Sequence, residues 1–567
     1  MMQAKFTRNQ YLIIFGIALF AIAIRFLHLG NQPLSGNEAN LALQAFSTVK
    51  GQAINWSGEP LYLALTSFLF SLFDQTNFIA RLIPALFGTL LIFIPFLYRK
   101  YLGYWETVIL AAFLAMDPSL VSLSRTVGGS TISLFLLGLA IYLLINRKII
   151  GSGVVCGLAL LGGAGIWSAL IPLGIAVVVW LMIDRENLKK QEQLYSVITE
   201  TIRDRMFWLA VILTVILIGT LFLSYPRSLN ALGGSFADYF HTWNSQEVLS
   251  FPIFLLGIIF YFPLGLIFGI WGGIRSLVEK NRFGKFLFIW LLAGLVLILV
   301  NPGRELTQFF WLVFPLYALA AIEITHHLNS EGGEFIPTMG VAFLIITIAG
   351  FLWFNFGKLT YGGDQNQLIL VVSGGIGILL ISAILIVLGW SRTVALKGYI
   401  WGVLVILFLY TFSTGWRVSG IGTGLQSEMI GSAQTVPQLG FIKKTINEIS
   451  NWNADTSTGI GVSVVGLNST VLEWGLKDFS KIKYQLATEK DQQPEVILAG
   501  IDQTFAFQDQ YRGQDFIYEQ SIDWQNFSAM DWISWLVHRK VSYSNSSVVL
   551  WVRADQFPGG SISLPAQ

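Results

Sequence analysis

The stretch EPLYLALTSFLFSLFDQTNFIARLIPALFGTLLIFIPFLYRKYLG, residues 59–103, contains two apolar runs of unequal length. The second run, 78–98, is long enough to cross a bilayer, which takes about 20 apolar residues. The first run, 61–73, has only 13 residues. Whether 61–73 crosses the membrane decides on which side every later loop lies.

The composition of the chain places it among membrane proteins. It has 567 residues, of which 54% are hydrophobic and only 12% are charged. Long apolar runs recur from Tyr11 to Tyr410, a pattern that predicts a polytopic α-helical membrane protein. The net charge is +2 and no basic stripe is present, so no nucleic-acid partner is expected.

Apolar runs of spanning length predict about thirteen transmembrane helices. The candidate spans are 11–28, 78–98, 104–121, 130–146, 149–164, 167–183, 207–224, 251–274, 286–300, 309–325, 338–355, 367–390 and 398–413.

The distribution of Lys and Arg indicates whether 61–73 crosses the membrane, because basic residues concentrate in cytoplasmic loops. If 61–73 lies flat as an interfacial helix, all the strongly basic segments fall on one side of the membrane. These segments are 5–8, 99–100, 147–148, 184–206, 275–285 and 392–397. The N-terminus is then predicted to be cytoplasmic, and the first large loop, 29–77, lies outside with its interfacial helices.

The last part of the chain is predicted to be a soluble α/β domain on the outer side. We place the boundary between a membrane domain, 1–413, and this extracytoplasmic domain, 414–567. The runs 459–466, 494–500 and 546–553 read as buried strands, and 441–450 and 531–540 read as helices. No catalytic motif stands out there, which favours a structural or recognition role.

Glu38 is the first candidate for chemistry. The sequence Ser35-Gly-Asn-Glu38 has the form of a capping box, in which the Ser oxygen and the Glu carboxylate each bind a free backbone N–H at the start of a helix. Glu38 can therefore be purely structural. The alternative is a carboxylate at the membrane surface that accepts a proton from an acceptor nucleophile.

Several segments together resemble a known family. Asn37-Glu38-Ala39 at the head of an outer-loop helix, the segments 59–103 and 115–144, and NPGRELTQFFWLVFPLYALAAIEI at 301–324 are similar to glycosyltransferases of the C-type membrane fold. The best match is the dolichyl-phosphate-mannose–protein mannosyltransferase-like group, glycosyltransferase family 39. The tail resembles a prokaryotic branch associated with protein N-glycosylation and flipping.

The resemblance implies a hexosyltransferase, in enzyme class 2.4, of a prokaryotic plasma (inner) membrane. Such an enzyme takes a sugar from a polyprenyl-phosphate carrier on the outer leaflet and transfers it to a protein, lipid or glycan acceptor. An outer-loop carboxylate acts as base, with inversion at the anomeric carbon. The lipid-linked sugar is the donor substrate, and no separate cofactor is implied.

Two positions depart from the family pattern. The Asp-Glu pair of the first loop stands here as Asn37-Glu38, and an expected Asp between spans three and four stands here as Ser130. Asn and Ser do not act as bases at neutral pH. Three alternatives therefore stay open: Glu38 is the base, another carboxylate replaces the missing one, or the site is inactive. The replacement candidates are Asp74, Asp117 and Asp238.

Further outer-side residues complete the candidate site. Arg125 and Arg304 are candidates for binding the carrier phosphate, since guanidinium groups bind phosphate bidentately. Arg125 could instead anchor the helix at the interface. Glu59 either faces the site or lies in a solvated loop. Asn37 and Asp238 are further substrate-binding candidates, and Trp243 either stacks on a sugar or belongs to the aromatic belt.

Other functions stay open on the sequence alone. A non-catalytic relative could serve as a scaffold in glycan or envelope assembly, and the two departures favour that alternative. A flippase or transporter is the third possibility, although most spans lack the mid-depth charges and the two-fold repeat typical of transporters. No metal site is predicted, because the chain has one Cys and no His/Asp/Glu cluster with ligand spacing.

Overall fold

The protein was examined as a computed structural model. The structure describes residues 8–52, 56, 58–183, 201, 203–246, 248–279, 281–329, 334–358, 360, 365–389, 391–421, 427–431, 436–453, 458–486, 493–503, 505 and 510–558.

Long helices form most of the described chain, and five strands follow in its last quarter. Short 3-10 turns and one four-residue helix, Arg99–Leu102, are left unnumbered. The helices are α1 Arg8–Phe26, α2 Gly36–Val49, α3 Pro60–Leu72, α4 Asn77–Leu97, α5 Tyr104–Met116, α6 Pro118–Arg125, α7 Ser130–Ile145, α8 Ile149–Leu160, α9 Trp167–Ile183, α10 Arg205–Gly219, α11 Leu229–His241, α12 Phe251–Tyr261, α13 Pro263–Val278, α14 Arg282–Val300, α15 Val313–Asn329, α16 Phe335–Lys358, α17 Gln365–Gly389, α18 Arg392–Val418, α19 Leu439–Asn453, α20 Thr470–Leu476 and α21 Ala529–His538.

The helices confirm a polytopic membrane protein. Among the described residues, eight helices are long and apolar enough to span a bilayer, or ten if each of two bent pairs counts as one span. All thirteen predicted spans fall on apolar helices. However, α7, α8 and α10 have only 16, 12 and 15 residues, so the count of thirteen is not confirmed. The predicted charged loop 184–206 lies mostly outside the described residues.

The predicted span 104–121 is bent by 54° between α5 and α6. The cause is Pro118, which has no N–H to donate to the carbonyl of Leu114 four residues earlier. Asp117 starts the second half, because its carboxylate accepts a hydrogen bond of 2.8 Å from the N–H of Leu120. The helix then continues to Arg125, beyond the predicted end of the span at 121.

The predicted span 251–274 is built from two helices rather than one straight helix. It is bent by 88° between α12 and α13, where Pro263 begins the second helix. A proline at this point removes a hydrogen-bond donor from the helix interior. The bend leaves Tyr261 fully buried, with its hydroxyl 2.6 Å from a carboxylate oxygen of Glu428 in the chain that follows α18.

The C-terminal part forms the predicted α/β domain around one five-stranded sheet. The strands are β1 Gly461–Val465, β2 Lys481–Gln485, β3 Val496–Gly500, β4 Tyr511–Ser521 and β5 Ser544–Arg553, in the order β2-β1-β3-β5-β4.

The sheet contains parallel and antiparallel strands, and the sequence predicted its three central strands. β1 pairs in parallel with β2 and β3, whereas β5 runs antiparallel to β3 and β4. The three predicted strands correspond to β1, β3 and β5. The sequence analysis missed β2 and β4, which form the two edges. Phe516 is the one buried residue of these two strands, so neither carries a continuous apolar run.

The α/β domain packs directly on the membrane helices. At one contact, α20 lies on α2: the Thr470 hydroxyl donates a 2.9 Å hydrogen bond to the Gly36 carbonyl. The indole N–H of Trp474 donates to the Asn77 side chain at 2.7 Å, and its ring stacks on Phe70. A single apolar core therefore runs from the bundle into the domain.

Candidate active site

A cavity of about 590 Å³ lies where the membrane helices meet the α/β domain. The chain segments after α1, at the end of α6 and after α14 form its walls, together with residues of the domain. Its lining residues are His28, Leu29, Gln32, Pro33, Ser35, Asn37, Glu38, Arg81, Ser122, Arg125, Thr126, Val127, Val248, Leu249, Glu305, Leu306, Thr307, Met429, Gly431 and Trp524. Three of the predicted site residues thus meet here: Asn37, Glu38 and Arg125.

Glu38 combines the helix cap with a buried ion pair. The capping box is present, and the Ser35 N–H donates to Oε2 at 2.9 Å. Arg81 donates to both carboxylate oxygens, each at 2.9 Å, and the Val127 N–H donates to Oε1 at 2.9 Å. Two hydrogen bonds therefore fill each oxygen, which is nearly the full capacity of a carboxylate.

These contacts keep Glu38 ionised. Burial alone would raise the pKa of Glu38, but the charge and hydrogen bonds of Arg81 and the N–H groups of Ser35 and Val127 lower it below its ordinary value of 4.5. A carboxylate held in this way is a stable anion and a weak proton acceptor. The geometry thus favours the structural alternative for Glu38.

Arg81 organises the loop that follows α1. Besides its two bonds to Glu38, it donates from Nη1 to the carbonyls of Leu29 and Gln32 and from Nη2 to that of Pro33. All five N–H groups of the guanidinium are thus used. Arg81 fixes one wall of the cavity and has no donor left for a ligand.

Arg125 is different, because part of its guanidinium is available. Nη1 donates to the carbonyls of Ile24 and Arg25, at 2.9 and 3.0 Å. Nε and Nη2 have no hydrogen-bond partner within the described part of the chain, and the side chain lines the cavity while remaining only 8% exposed. Arg125 therefore presents a positioned cation to whatever occupies the cavity.

Glu305 is the second carboxylate of the cavity, and the sequence analysis missed it. It is exposed, and its Oε2 accepts a 3.0 Å hydrogen bond from the Thr307 hydroxyl. No other partner occurs among the described residues, so most of its acceptor capacity is unused. Its position directly after Arg304, in the quoted outer loop, was the available signal.

Arg304 itself is not among the residues that line this cavity. It is 6% exposed, and Nη1 donates to the carbonyls of Leu299 and Asn301, at 3.4 and 3.3 Å. These carbonyls belong to the C-terminal end of α14. Its guanidinium carbon also lies 5.8 Å from the centre of the Phe251 ring. These contacts are those of a helix cap.

Glu59 is not among the residues that line this cavity. Its Oε2 accepts a 2.7 Å hydrogen bond from the Gly129 N–H, and its Cγ would be 2.6 Å from a Cβ placed on Gly163. Burial raises the pKa of Glu59 to about 7, although the Gly129 N–H acts in the opposite direction. Glu59 is thus half-buried and can exchange a proton near neutral pH, which is not the behaviour of a solvated loop residue.

The remaining predicted residues do not contribute to the wall of this cavity. Asp238 is exposed on α11, and Trp243, just after that helix, is half-buried. Of the other replacement carboxylates, Asp74 is exposed in a loop. Asp117 is fully buried, where it caps α6 and accepts a hydrogen bond from the Tyr317 hydroxyl at 3.0 Å. None of these four residues lines a cavity described here.

Within the described ranges, no three His, Cys, Asp or Glu side chains come together in a way that could hold a metal ion.

Comparison with known proteins gives a structural match only. No family model matches the sequence, and no curated protein matches it. Crystal structures of ArnT from Cupriavidus metallidurans match over 97% of this chain and 100% of the ArnT chain. The form bound to undecaprenyl phosphate has a TM-score of 0.57 at 13% identity, and the apo form has 0.55 at 14%. At this identity the match establishes a shared fold, and the chain accordingly has the C-type membrane glycosyltransferase fold that the sequence predicts.

Proposed function

We propose that the protein is a membrane glycosyltransferase that moves a sugar from a polyprenyl-phosphate carrier to a protein, lipid or glycan acceptor. The observation that carries the proposal is the 590 Å³ cavity with Arg125 in its wall. ArnT, which has the same fold, has been crystallised with undecaprenyl phosphate. A lipid phosphate is therefore the ligand class that this cavity is proposed to take.

In this proposal Arg125 binds the carrier phosphate. Its free Nε and Nη2 form an edge suited to two phosphate oxygens. When the anomeric carbon–oxygen bond to the carrier breaks, the bonding electrons go to the phosphate. A cation already fixed by Ile24 and Arg25 stabilises that growing charge without having to reorganise.

The reaction also needs a group that takes the proton of the acceptor hydroxyl as its oxygen attacks the anomeric carbon. The resemblance assigns this role to Glu38, and Glu305 is the other carboxylate in the cavity. We propose Glu305 as the base, since only one hydrogen bond occupies it, and Glu38 as the residue that positions Arg81. One displacement with such a base inverts the configuration at the anomeric carbon.

The finer assignments belong to the same proposal. Hexose transfer and the family 39-like branch rest on the ordered resemblance of residues 30–150 and on the tail. A plasma (inner) membrane location, with the N-terminus cytoplasmic and the C-terminal domain extracytoplasmic, rests on the distribution of Lys and Arg. The polyprenyl-phosphate sugar serves as donor, and no cofactor is required.

The test uses the full chain in lipid nanodiscs with a panel of short-chain polyprenyl-phosphate hexoses and peptide or glycan acceptors. Release of polyprenyl phosphate is measured by mass spectrometry, because every transfer, including transfer to water, releases it. We expect turnover in the wild type, a loss of at least about 100-fold in E305Q, as for removal of a general base, and no change in the control D238N.

The outcomes separate the alternatives. If E38Q, corrected for the folded fraction, loses turnover while E305Q retains it, Glu38 is the base. If the wild type binds undecaprenyl phosphate in an Arg125-dependent way but releases nothing with any donor, the protein is a non-catalytic relative. Movement of the intact lipid-linked sugar between leaflets would instead establish a flippase.

A further inference from the structure

A second, smaller cavity of about 150 Å³ adjoins the site. It lies between the start of α7, the turn before α9, the end of α11 and the 3-10 segment before α15. Hydroxyl groups, one amide and aromatic rings make up most of its wall. Its lining residues are Leu123, Ser130, Ala164, Gly165, Ser168, Tyr239, Thr242, Thr307, Gln308 and Trp311.

The lining contains no charged side chain, in contrast to the large cavity. Five residues supply hydroxyl groups and Gln308 supplies an amide. The hydroxyls of Thr242 and Thr307 already donate to the Tyr239 carbonyl and to Glu305, so they offer a ligand acceptor oxygens, while Ser130 and Ser168 can also donate. Burying an ionised ligand group without a counter-charge costs far more than burying a hydroxyl that finds a partner. The small cavity therefore suits a neutral ligand rich in hydroxyl groups.

The size of the cavity also limits which ligand it can hold. A cavity of about 150 Å³ has room for no more than one ring, since an engineered cavity of that volume binds benzene. The wall is closely packed: a Cβ on Gly165 would lie 3.0 Å from Cζ2 of Trp311 and 3.5 Å from the Ser130 hydroxyl. Trp311 is only 3% exposed, so its ring is a fixed part of the wall.

The two cavities are neighbours in the structure. Thr307 lines both of them. Leu123 lines the small cavity, and Arg125, two residues later on α6, lines the large one. A ligand with a phosphate at Arg125 could thus place an attached ring on the side of Ser130. Ser130 is the position where the family resemblance leads one to expect Asp, and its hydroxyl keeps this wall neutral.

We propose that the small cavity is the subsite for the sugar of the lipid-linked donor, and that it selects a single neutral hexose over an amino sugar or a uronic acid. This inference rests on the proposed function, because it uses the same carrier phosphate site. The inference makes Ser130, Ser168 and Thr307 the residues that determine which sugar is bound.

The test measures binding, so that it does not depend on an identified acceptor. The full chain in nanodiscs is titrated with undecaprenyl phosphate and with its mannose, glucose, glucosamine and glucuronic acid derivatives. We expect the mannose or glucose derivative to bind about tenfold more tightly than the bare carrier, which corresponds to roughly two net hydrogen bonds. The amino and acidic derivatives should gain no affinity.

Variants then locate the effect. S168L fills the cavity and should remove the tenfold difference while leaving the Kd of undecaprenyl phosphate within about twofold, an effect too small to count as a lost hydrogen bond. G165A is the milder second variant if S168L fails to fold. S71L is the matched control, because Ser71 is exposed on α3 and lines neither cavity. S130D should transfer the preference to the glucosamine derivative.

Each result bears on a definite claim. Equal binding of bare and hexosylated carrier by the wild type, or an unchanged difference in both S168L and G165A, would overturn the sugar subsite. Failure of the wild type to bind undecaprenyl phosphate at all would instead overturn the proposed function.

Discussion

Arg125 binds the backbone at the end of α1, the helix that carries Arg25, while Arg25 binds the backbone at the end of α5, the helix directly before that of Arg125. Nη1 of Arg125 donates to the carbonyls of Ile24 and Arg25 at the end of α1. Arg25 donates to the carbonyl of Ala115 at the end of α5 and to the Ser124 hydroxyl beside Arg125. The last carbonyls of a helix lack hydrogen-bond donors, and the helix C-terminus carries a partial negative charge. Each guanidinium supplies both the donors and a compensating positive charge.

We expect R25L to destabilise the protein strongly. Arg25 is fully buried, and it also donates at 3.1 Å to the Leu114 carbonyl, which Pro118 leaves without its helical partner. Each buried carbonyl left unsatisfied costs about 1–3 kcal/mol. Thermal unfolding in detergent should show a large decrease in Tm for R25L and almost none for R8L, whose side chain is exposed on the same helix. Equal Tm values for both variants would refute this role for Arg25.

The ion pair of Glu38 and Arg81 should make stability depend on acid pH. The folded pKa of Glu38 is lowered, so the folded state binds fewer protons than the unfolded state at acid pH. The stabilisation is complete above the unfolded value near 4.5 and is lost as pH falls through the folded pKa. Denaturant unfolding measured from pH 3 to pH 7 should show this loss in the wild type.

Variants of Glu38 and Arg81 test whether this ion pair causes the acid dependence. E38Q should flatten the acid dependence, and R81M, which leaves a buried carboxylate unpaired, should cost about 3–5 kcal/mol. A wild-type stability that does not change between pH 3 and pH 5 would contradict the lowered pKa.

Glu59 should produce the opposite pH dependence. Its folded pKa of about 7 exceeds the ordinary value of 4.5, so between these values the folded state binds more protons than the unfolded state. Stability should therefore fall as pH rises from about 4.5 to about 7. E59Q, whose amide oxygen can still accept from the Gly129 N–H, should abolish this decrease and be more stable than the wild type at pH 8. The readout is Tm as a function of pH; parallel curves would exclude the effect.

The contact of Glu428 with Arg539 should couple the end of α21 to the bundle, because Glu428 also accepts a hydrogen bond from Tyr261 at the end of α12. Nε of Arg539 lies 3.0 Å from Oε1 of Glu428, and both side chains are buried. We expect R539M to cost about 3–5 kcal/mol, because it leaves a buried carboxylate without its partner. The control is K444M, since Lys444 and Glu448 form an exposed pair worth less than about 1 kcal/mol. Limited proteolysis should release the domain from R539M faster than from K444M.

The interfacial position of α3 is open to a labelling test. If α3 does not cross the membrane, cysteines placed at Lys50 and Asp74, before and after it, should react with a membrane-impermeant maleimide from the same side. The experiment uses a C156S background, because Cys156 is the chain's only cysteine. A cysteine at Arg147 should react only from the opposite side. Labelling of positions 50 and 74 from different sides would make α3 a span.

The sequence was informative wherever a property depends on composition or local pattern. Apolar length predicted the membrane helices, and the capping pattern of Ser35 and Glu38 predicted the start of α2. The continuous apolar runs of β1, β3 and β5 predicted the central strands. Each of these features depends on residues close together in the chain, so the local sequence contains the information.

Other features depend on residues distant in sequence. Glu38 looks like a free carboxylate until Arg81, 43 residues away, is seen to occupy it. Arg25 looks like an interruption of an apolar helix until the break at Pro118 supplies carbonyls for it. Glu305 and the small cavity could not be located, because neither has a motif and both depend on packing between separate loops.

The contact between α2 and α20 has a consequence for biosynthesis. Gly36 and Thr470 are 434 residues apart, and the walls of the large cavity extend from His28 to Trp524. During translation, the described membrane helices are made before Trp524, which completes this cavity. A nascent chain therefore has no finished site until the domain that contains Trp524 has folded, and the proposed lipid carrier can bind only after that.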